Sequence, residues 1–406
     1  MQFRKKITTV LLALMLLGGI IPEVSAYTKP ALEKIEGNNY EVAAKIADKQ
    51  KYTSAILVNL DKSIADGLSS SGLAGATSSP ILLTQQDSIP DVTMKRLESV
   101  KKIYIIGGTN SVTANVESKL KSKGKEVERI EGSNRAATSI KVANKVKTFV
   151  DSKYIFLSNG YKGEADAISI APVAARYKAP IILTDGNQAN YQTSGKECYV
   201  IGGKTSMNDK IVADNKADRL GGADRFATNS QILDVFFSEG DDFANVVGLN
   251  FYIADGYNLT SGLITAPVAK YAPLCLVSEK SDKRDLLFAD KITAVGKLSD
   301  KTINDALDPL PVICDMFGYW ESENDDRVFM QIASDSISWN WSDSYEEIDN
   351  ASYRVSSVDK SKNTVVLMRT DKVEYYRLTK LSDDRFKFER SKDNKIWNKA
   401  EFYNHI

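Results

Sequence analysis

Three segments of this chain repeat one another, so whatever one of them folds into must be built three times over. Ile35-Glu36-Gly37, Ile130-Glu131-Gly132 and Leu220-Gly221-Gly222 open the segments, at intervals of about 90 residues, which is enough for a small domain each. A polar pair follows each opener, and then apolar residues recur at helical spacing. They are Val42, Ala43, Ile46 and Ala47 in the first copy and Ile140, Ala143, Val146 and Val150 in the second, where Asn134 can cap the helix. In the third copy Asp224 caps a helix lined by Ile232, Leu233, Phe236 and Phe237. Short β-rich runs at 54–60, 154–157 and 251–254 come next, each ended by Gly, Asn or Asp, and small-residue helices are expected over 65–76, 165–177 and 260–271.

A proline then launches a wholly apolar strand: Pro80-Ile81-Leu82-Leu83-Thr84, Pro180-Ile181-Ile182-Leu183-Thr184 and Pro273-Leu274-Cys275-Leu276-Val277. Runs without alternation are apolar on both faces, which places them in the middle of a parallel sheet covered by helices. A last strand ends each copy, at 103–106 before Gly107-Gly108, 198–201 before Gly202-Gly203, and 293–295 before Gly296. The expected fold class is α/β, with three tandem small parallel-sheet modules and right-handed crossovers.

These residues carry a family resemblance. Arg-Leu-Gly-Gly-Ala-Asp-Arg-Phe-Ala-Thr at 219–228, Ala-Asp-Ala-Ile-Ser at 165–169, the two Pro-Ile-(Ile/Leu)-Leu-Thr strands and Val-Ile-Gly-Gly at 200–203 are similar to the cell-wall-binding repeat type 2 modules of Gram-positive surface proteins. The likeness covers residues 30–309. It implies a pseudo-threefold packing of three modules, a non-covalent hold on an anionic secondary cell-wall polymer, and a separate domain carrying the protein's own activity, with no catalysis by the modules.

The residues suggest how such a polymer would be held. A glycine pair at the end of a parallel strand permits a tight turn, and a helix starting there would present free N–H groups and the positive end of its dipole to an anion. Gly107, Gly108 and Thr109 form this feature in the first copy, and Gly202, Gly203, Lys204 and Thr205 in the second. Arg135 and Arg225, at matching places after the opening glycine, could add bidentate contacts to phosphate or carboxylate. Equally, the glycines could serve only as tight turns and the arginines pair with internal carboxylates such as Asp66 or Asp166. The copies are unequal: Tyr40 stands where the others have arginine, Ser261 aligns with Asp66 and Asp166, and Gly296 stands without a second glycine. If the arginine and aspartate pair within a module, modules one and three have each lost one partner.

Composition narrows the function. With 53 basic and 53 acidic side chains the chain is no polybasic nucleic-acid binder. Arg4, Lys5 and Lys6, an apolar octet at 10–17 and Val24-Ser25-Ala26 read as a signal peptide over 1–26, cleaved after Ala26 to leave a secreted protein with no membrane contact. Three cysteines at wide spacing give no disulfide framework, and the single His405 removes Ser-His-Asp, Cys-His and His-zinc arrangements. Gly203-Lys204-Thr205 imitates the end of a nucleotide-binding loop, but the glycine required five positions before Gly203 is Cys198. Asp66 and Asp166, with Asp61 or Asp185 nearby, could suggest the paired carboxylates of a hydrolase, but the repeated aspartates sit in separate copies and change identity between them, which suits binding better than hydrolysis. No enzyme activity, cofactor or metal is expected of these modules.

Residues 310–406 differ in kind. All four tryptophans lie there, and period-two alternation appears at Val328, Met330 and Ile332, at Ile337, Trp339 and Trp341, and at Phe386 and Phe388. An antiparallel β-meander or small barrel is expected, faintly similar to lipocalin-like domains. Its aromatics either fill a core or offer stacking faces to a ligand. The organisation expected is modules at 27–127, 128–216 and 217–309, then a β-rich domain at 310–406. The function expected is a surface or S-layer protein displaying that domain to other surface proteins or host ligands, with a cell-wall hydrolase or its accessory protein as the alternative. The sequence ends without a sorting-type apolar tail, so low pH or denaturant is expected to strip the protein from the wall.

Overall fold

The computed structural model describes residues 29–59, 64–237, 249–309, 313, 316–333, 336–344 and 346–406, and the expected signal peptide, Asp61 and Cys314 lie outside them. Two compact units are present, one covering residues 30–307 and the other 308–406.

The first unit contains β1 (Ala31–Ile35), β2 (Ser54–Asn59), β3 (Ile81–Thr84), β4 (Lys102–Ile106), β5 (Glu126–Ile130), β6 (Tyr154–Asn159), β7 (Ile181–Thr184), β8 (Glu197–Ile201), β9 (Asp218–Leu220), β10 (Asn250–Asp255), β11 (Leu274–Val277) and β12 (Lys291–Val295). They form three four-stranded sheets with strand orders β3-β2-β4-β5, β7-β6-β8-β9 and β11-β10-β12-β1. Every pairing among them is parallel.

The unbroken apolar runs are explained by two cores per sheet. On β2, Ile56 and Val58 enter a core shared by all three modules, while Ala55 and Leu57 enter one private to module one. On β7 and β11 the same alternation sends Ile181, Leu183, Leu274 and Leu276 to the shared core, and Ile182 and Cys275 to private ones. The small-residue helices meet in that shared core. Glu164–Tyr177 is one continuous helix, whereas its counterparts break into a 3-10 turn at Ala65–Ser69 followed by a helix at Ser71–Thr77, and a helix at Thr260–Thr265 followed by a 3-10 turn at Ala269–Tyr271. Side chains at Gly72 and Gly75 would run into the Ala179 and Ala175 carbonyls, so glycine sets how closely the modules approach.

Ile35, Ile130 and Leu220, at the head of each repeat, turn out to end strands that complete the preceding sheet. β5 finishes the sheet of module one and β9 that of module two. β1 crosses to module three, pairing from Ala31↔Lys291 to Ile35↔Val295, so the three modules close into a ring. The ammonium groups of Lys291 and Lys49, both 2.5 Å from Glu33 on β1, hold its carboxyl down at about 2.

The second unit is a closed antiparallel barrel of β13 (Gly318–Ser322), β14 (Val328–Ile332), β15 (Ser336–Trp341), β16 (Glu347–Asp359), β17 (Thr364–Arg369), β18 (Tyr375–Ser382), β19 (Arg385–Ser391) and β20 (Glu401–His405). The closing pair is β13 with β20. Alternation fixes which side chains enter: Val365 and Leu367 are buried while Val366 and Met368 are half-buried. Aromatics fill the interior. Trp320 packs on Phe386 at 4.8 Å, Phe386 on Tyr403 at 5.3 Å, and Trp339 on Tyr376 at 5.6 Å between ring centroids. Trp341 instead reaches the surface, and Trp397 lies half-exposed under Arg377 at 4.2 Å.

Candidate functional site

The third strand of each sheet runs into a glycine with a left-handed backbone: Gly107 at φ +112°, Gly202 at +127° and Gly296 at +80°. Each donates its N–H to the last residue of the strand lent by the next module, Ile130 at 3.0 Å, Leu220 at 2.8 Å and Ile35 at 3.0 Å. Space as well as φ requires glycine here. A Cβ on Gly107 would sit 2.6 Å from Asp66 Oδ2, and one on Gly202 would sit 2.7 Å from Asp166 Oδ2. At Gly296 it would strike Ser261 Oγ, so Asp66, Asp166 and Ser261 are equivalent in space as they are in alignment.

The groups facing each aspartate come from two modules. Asp166 is 8% exposed. Burial pushes its carboxyl up to about 6, against the opposing pull of the Thr228 hydroxyl, the Arg225 charge and the Ser206 hydroxyl. Burial likewise raises Asp66, against Ser111, Arg135 and Thr138. The serine in each set belongs to the aspartate's own module, while the arginine and threonine start the first helix of the next, Arg135–Lys147 or Arg225–Phe236. Partnership therefore runs between neighbours, which corrects the pairing expected within one module. The losses in modules one and three fall on the same interface, where the helix Thr260–Thr265 bearing Ser261 packs on Asn39–Ala47, and Tyr40 and Ala43 occupy the arginine and threonine positions.

The influence of the arginines on the aspartates is electrostatic, and their hydrogen bonds go elsewhere. Arg135 Nη1 donates to the Gly160 carbonyl and, at 2.7 Å, to Glu164, while Arg225 Nη1 donates to the Gly256 carbonyl at 2.7 Å. Each guanidinium also lies over a tyrosine, Arg135 on Tyr161 at 5.0 Å and Arg225 on Tyr257 at 4.8 Å, a favourable cation–π geometry. The strand-end residues fix these tyrosines. Asn159 Oδ1 accepts from the Tyr161 and Lys162 N–H groups at 2.8 and 2.9 Å, and Asp255 Oδ1 accepts from Tyr257 N at 2.8 Å. The sequence held this signal as Asn159-Gly160-Tyr161 and Asp255-Gly256-Tyr257, and reasoning from the glycine pairs and arginines passed over it.

Where modules two and three meet, a cleft of 450 Å³ opens, and Asp166, Gly203, Thr205 and Arg225 line it together with Ser206, Thr228, Tyr161 and Tyr257. Gly202 lies beneath, against Asp166. Lys204 is exposed and paired with Asp209 at 3.0 Å, and it is not among the residues lining the cleft. At the junction of modules one and two, Gly107, Asp66 and Arg135 converge, Gly108 lies near Glu131, and Thr109 is exposed.

The expected helix start at the glycine pairs is not observed. Both pairs lead into turns, in which Ser111 and Val112 donate to Gly108 O, and Ser206 and Met207 donate to Gly203 O. The helices begin only at Ala114 and Asp209, and Asn208 caps the second by accepting from Ile211 N at 3.0 Å. A glycine with φ near +120° turns the chain away from the helical region, so capping falls to later residues. Among the described residues no group of His, Cys, Asp or Glu is arranged to hold a metal, and no helix is long and apolar enough to cross a membrane. Cys198 and Cys275 are buried free thiols, and burial pushes Cys198 up to about 12, far from reactivity.

The family described as cell wall binding domain 2 matches residues 35–117, 129–212 and 219–305, one match for each module. The chain belongs to the cell wall binding domain 2 family. Among its relatives are the N-acetylmuramoyl-L-alanine amidase LytC of Bacillus subtilis, 28% identical over 64% of this chain and 52% of that protein, and the amidase enhancer of the same organism, 30% identical over 49% and 30% respectively. The chain thus spans about half or less of the length of these relatives. Similar solved structures include Cwp6 from Clostridium difficile, with a TM-score of 0.63 and 27% identity over 72% of this chain and 49% of that one. Cwp8 from the same organism has a TM-score of 0.60 and 28% identity over 77% and 55%. Membership of the cell wall binding domain 2 family makes this a cell-wall-binding protein and indicates a cell-wall or surface location.

Proposed function

We propose that the chain is a secreted surface protein that holds an anionic wall polymer non-covalently in clefts where successive modules meet, and that the barrel is a binding domain displayed by this anchor rather than an enzyme. The observation that carries this reading is the 450 Å³ cleft between modules two and three. It gathers a buried carboxylate, a guanidinium, the hydroxyls of Thr205, Ser206 and Thr228, and two tyrosines from opposite sides of one junction. Repetition at the junction of modules one and two would add a second, weaker hold on the same long polymer, and linked weak contacts gain through effective concentration.

The test is co-sedimentation of the whole protein with purified wall, before and after chemical removal of its anionic polymer. Binding that survives the removal undiminished overturns the polymer assignment. Similarity to an amidase and an amidase enhancer supports a second reading, in which the chain acts on the wall or assists a protein that does. Release of soluble fragments from wall incubated with the protein, alone or with an amidase, would favour that reading over display.

A further inference from the structure

The cleft does not end at its own walls. Tyr161 also lines a depression of 230 Å³ in module two, between the start of the helix Arg135–Lys147 and the end of β7 at Thr184 and Asp185. On the other side Asp224 is shared with a depression of 320 Å³ in module three, which reaches Phe226, Leu276 and Lys280. The three depressions are neighbours, Tyr161 standing between the first and the central one and Asp224 between the central one and the third, and together they mark out a track over two modules.

Its chemistry is mixed rather than basic. Lys162 and Arg225 face Glu164, Asp166 and Asp224 in the central cleft. Glu164 is already bound to Arg135, and Asp224 is occupied as a helix cap accepting from Phe226 N and Ala227 N. Such a lining generates no strong positive field to gather a bare polyanion. It offers hydrogen-bonding side chains and two tyrosines that stay 52% exposed at Tyr161 and 68% exposed at Tyr257, although an arginine lies over one face of each ring. Flat aromatic faces flanked by acceptors and hydroxyls suit the C–H faces and hydroxyl edges of sugar rings.

We propose that a single glycan strand runs along this track, stacking sugar rings on Tyr161 and Tyr257 and donating hydroxyls to Asp166. Arg225 meets anionic substituents one at a time. The proposal rests on polymer holding by the modules and names the part of the polymer that is read.

The experiment titrates the full chain with wall-polymer fragments of graded length and compares Tyr161→Ala, Tyr257→Ala and their Phe counterparts. Tyr271→Ala is the control, because Tyr271 is 64% exposed and also lies under an arginine, Arg176 at 6.0 Å, yet does not line the track. Affinity should rise with fragment length and then level off once the track is spanned. Each alanine variant should weaken binding about 3- to 10-fold, the range expected for loss of one aromatic contact, while the Phe variants and Tyr271→Ala stay within about twofold of wild type on the same scale. Raising salt from about 0.05 to 0.5 M should change affinity less than about threefold, since few of the contacts are screened charge pairs. Wild-type binding with unaffected alanine variants, or a salt loss above about tenfold, overturns the glycan track and leaves polymer holding intact. Failure of the wild-type protein itself to bind wall overturns both.

Discussion

The junction of modules two and three and the junction of modules three and one share a backbone and differ in side chains. At both, a strand-end glycine donates to the last carbonyl of a strand lent by the neighbouring module. At the first, Asp166 faces Arg225 and Thr228; at the second, Ser261 packs where Tyr40 and Ala43 stand in their place. Closing the ring therefore rests on the backbone ladder, apolar burial and the Glu33–Lys291 ion pair, and does without the aspartate, arginine and threonine set. The two requirements can be separated by mutation.

Removing β1 attacks closure and should have the largest effect. β12 would lose its five-residue partner, and Ile35 would leave the shared core. A chain beginning after residue 35 should lose several kcal/mol in stability, measured by thermal or urea denaturation of the 30–307 unit. Acid should loosen the same strand. The Glu33 carboxyl lies at about 2 against an ordinary value of 4.5, so its contribution is complete above pH 4.5 and is lost as pH falls through 2. Unchanged melting of the truncated chain would show that the ladder at the closing junction is dispensable.

Next in size is Ser261→Asp, which places a carboxylate at the closing junction without its arginine and threonine. An uncompensated buried charge should cost about 2–4 kcal/mol at neutral pH, and much less near pH 4, where the new carboxyl can be protonated. Adding Tyr40→Arg and Ala43→Thr should recover at least half of the loss. If Ser261→Asp alone is harmless, the junctions differ in more than these three positions.

Gly202→Ala probes the feature common to all junctions. The positive φ and the nearby Asp166 Oδ2 and Ser206 Oγ, which would lie 2.7 and 2.6 Å from the added methyl, act together. A loss of about 1–3 kcal/mol is expected, with wall binding weakened because the displaced carboxylate lines the cleft. Melting and co-sedimentation together check it, and a stable variant that binds normally would mean that the glycine is only a turn.

Much of this fold was legible because each apolar run had to satisfy two cores at once, as Ile81 and Leu83 enter the shared core and Leu82 the private one. The barrel was legible from alternation, with Phe386 and Phe388 facing inward as their spacing demanded. The cleft between modules two and three was half legible. Asp166 and Arg225 announced themselves by repetition, but spacing along a chain does not tell which copy a residue faces, so their partnership across modules stayed hidden. β1 was hidden for a related reason: its partner lies at the far end of the unit, and its alternate residue Leu32 is 40% exposed, leaving little apolar pattern to read.

Asp166→Asn gives the smallest effect and the cleanest separation of stability from binding. Burial raises this carboxyl to about 6 from an ordinary 3.8, so the fold favours its protonated form. The corresponding stability is complete below pH 3.8 and is lost as pH rises through 6. Asparagine cannot ionise, so the variant escapes that loss. It should melt higher than wild type at pH 7.5, by up to about 1–3 kcal/mol of stability, and the gain should vanish below pH 4. Wall binding should move the opposite way, since the charged acceptor in the cleft is gone. A gain in stability with a loss of binding would identify Asp166 as a residue kept for the ligand at the expense of the fold, whereas a loss of both would make it part of the junction's structure, with the distinction between the two kinds of junction then resting on Arg225 and Thr228.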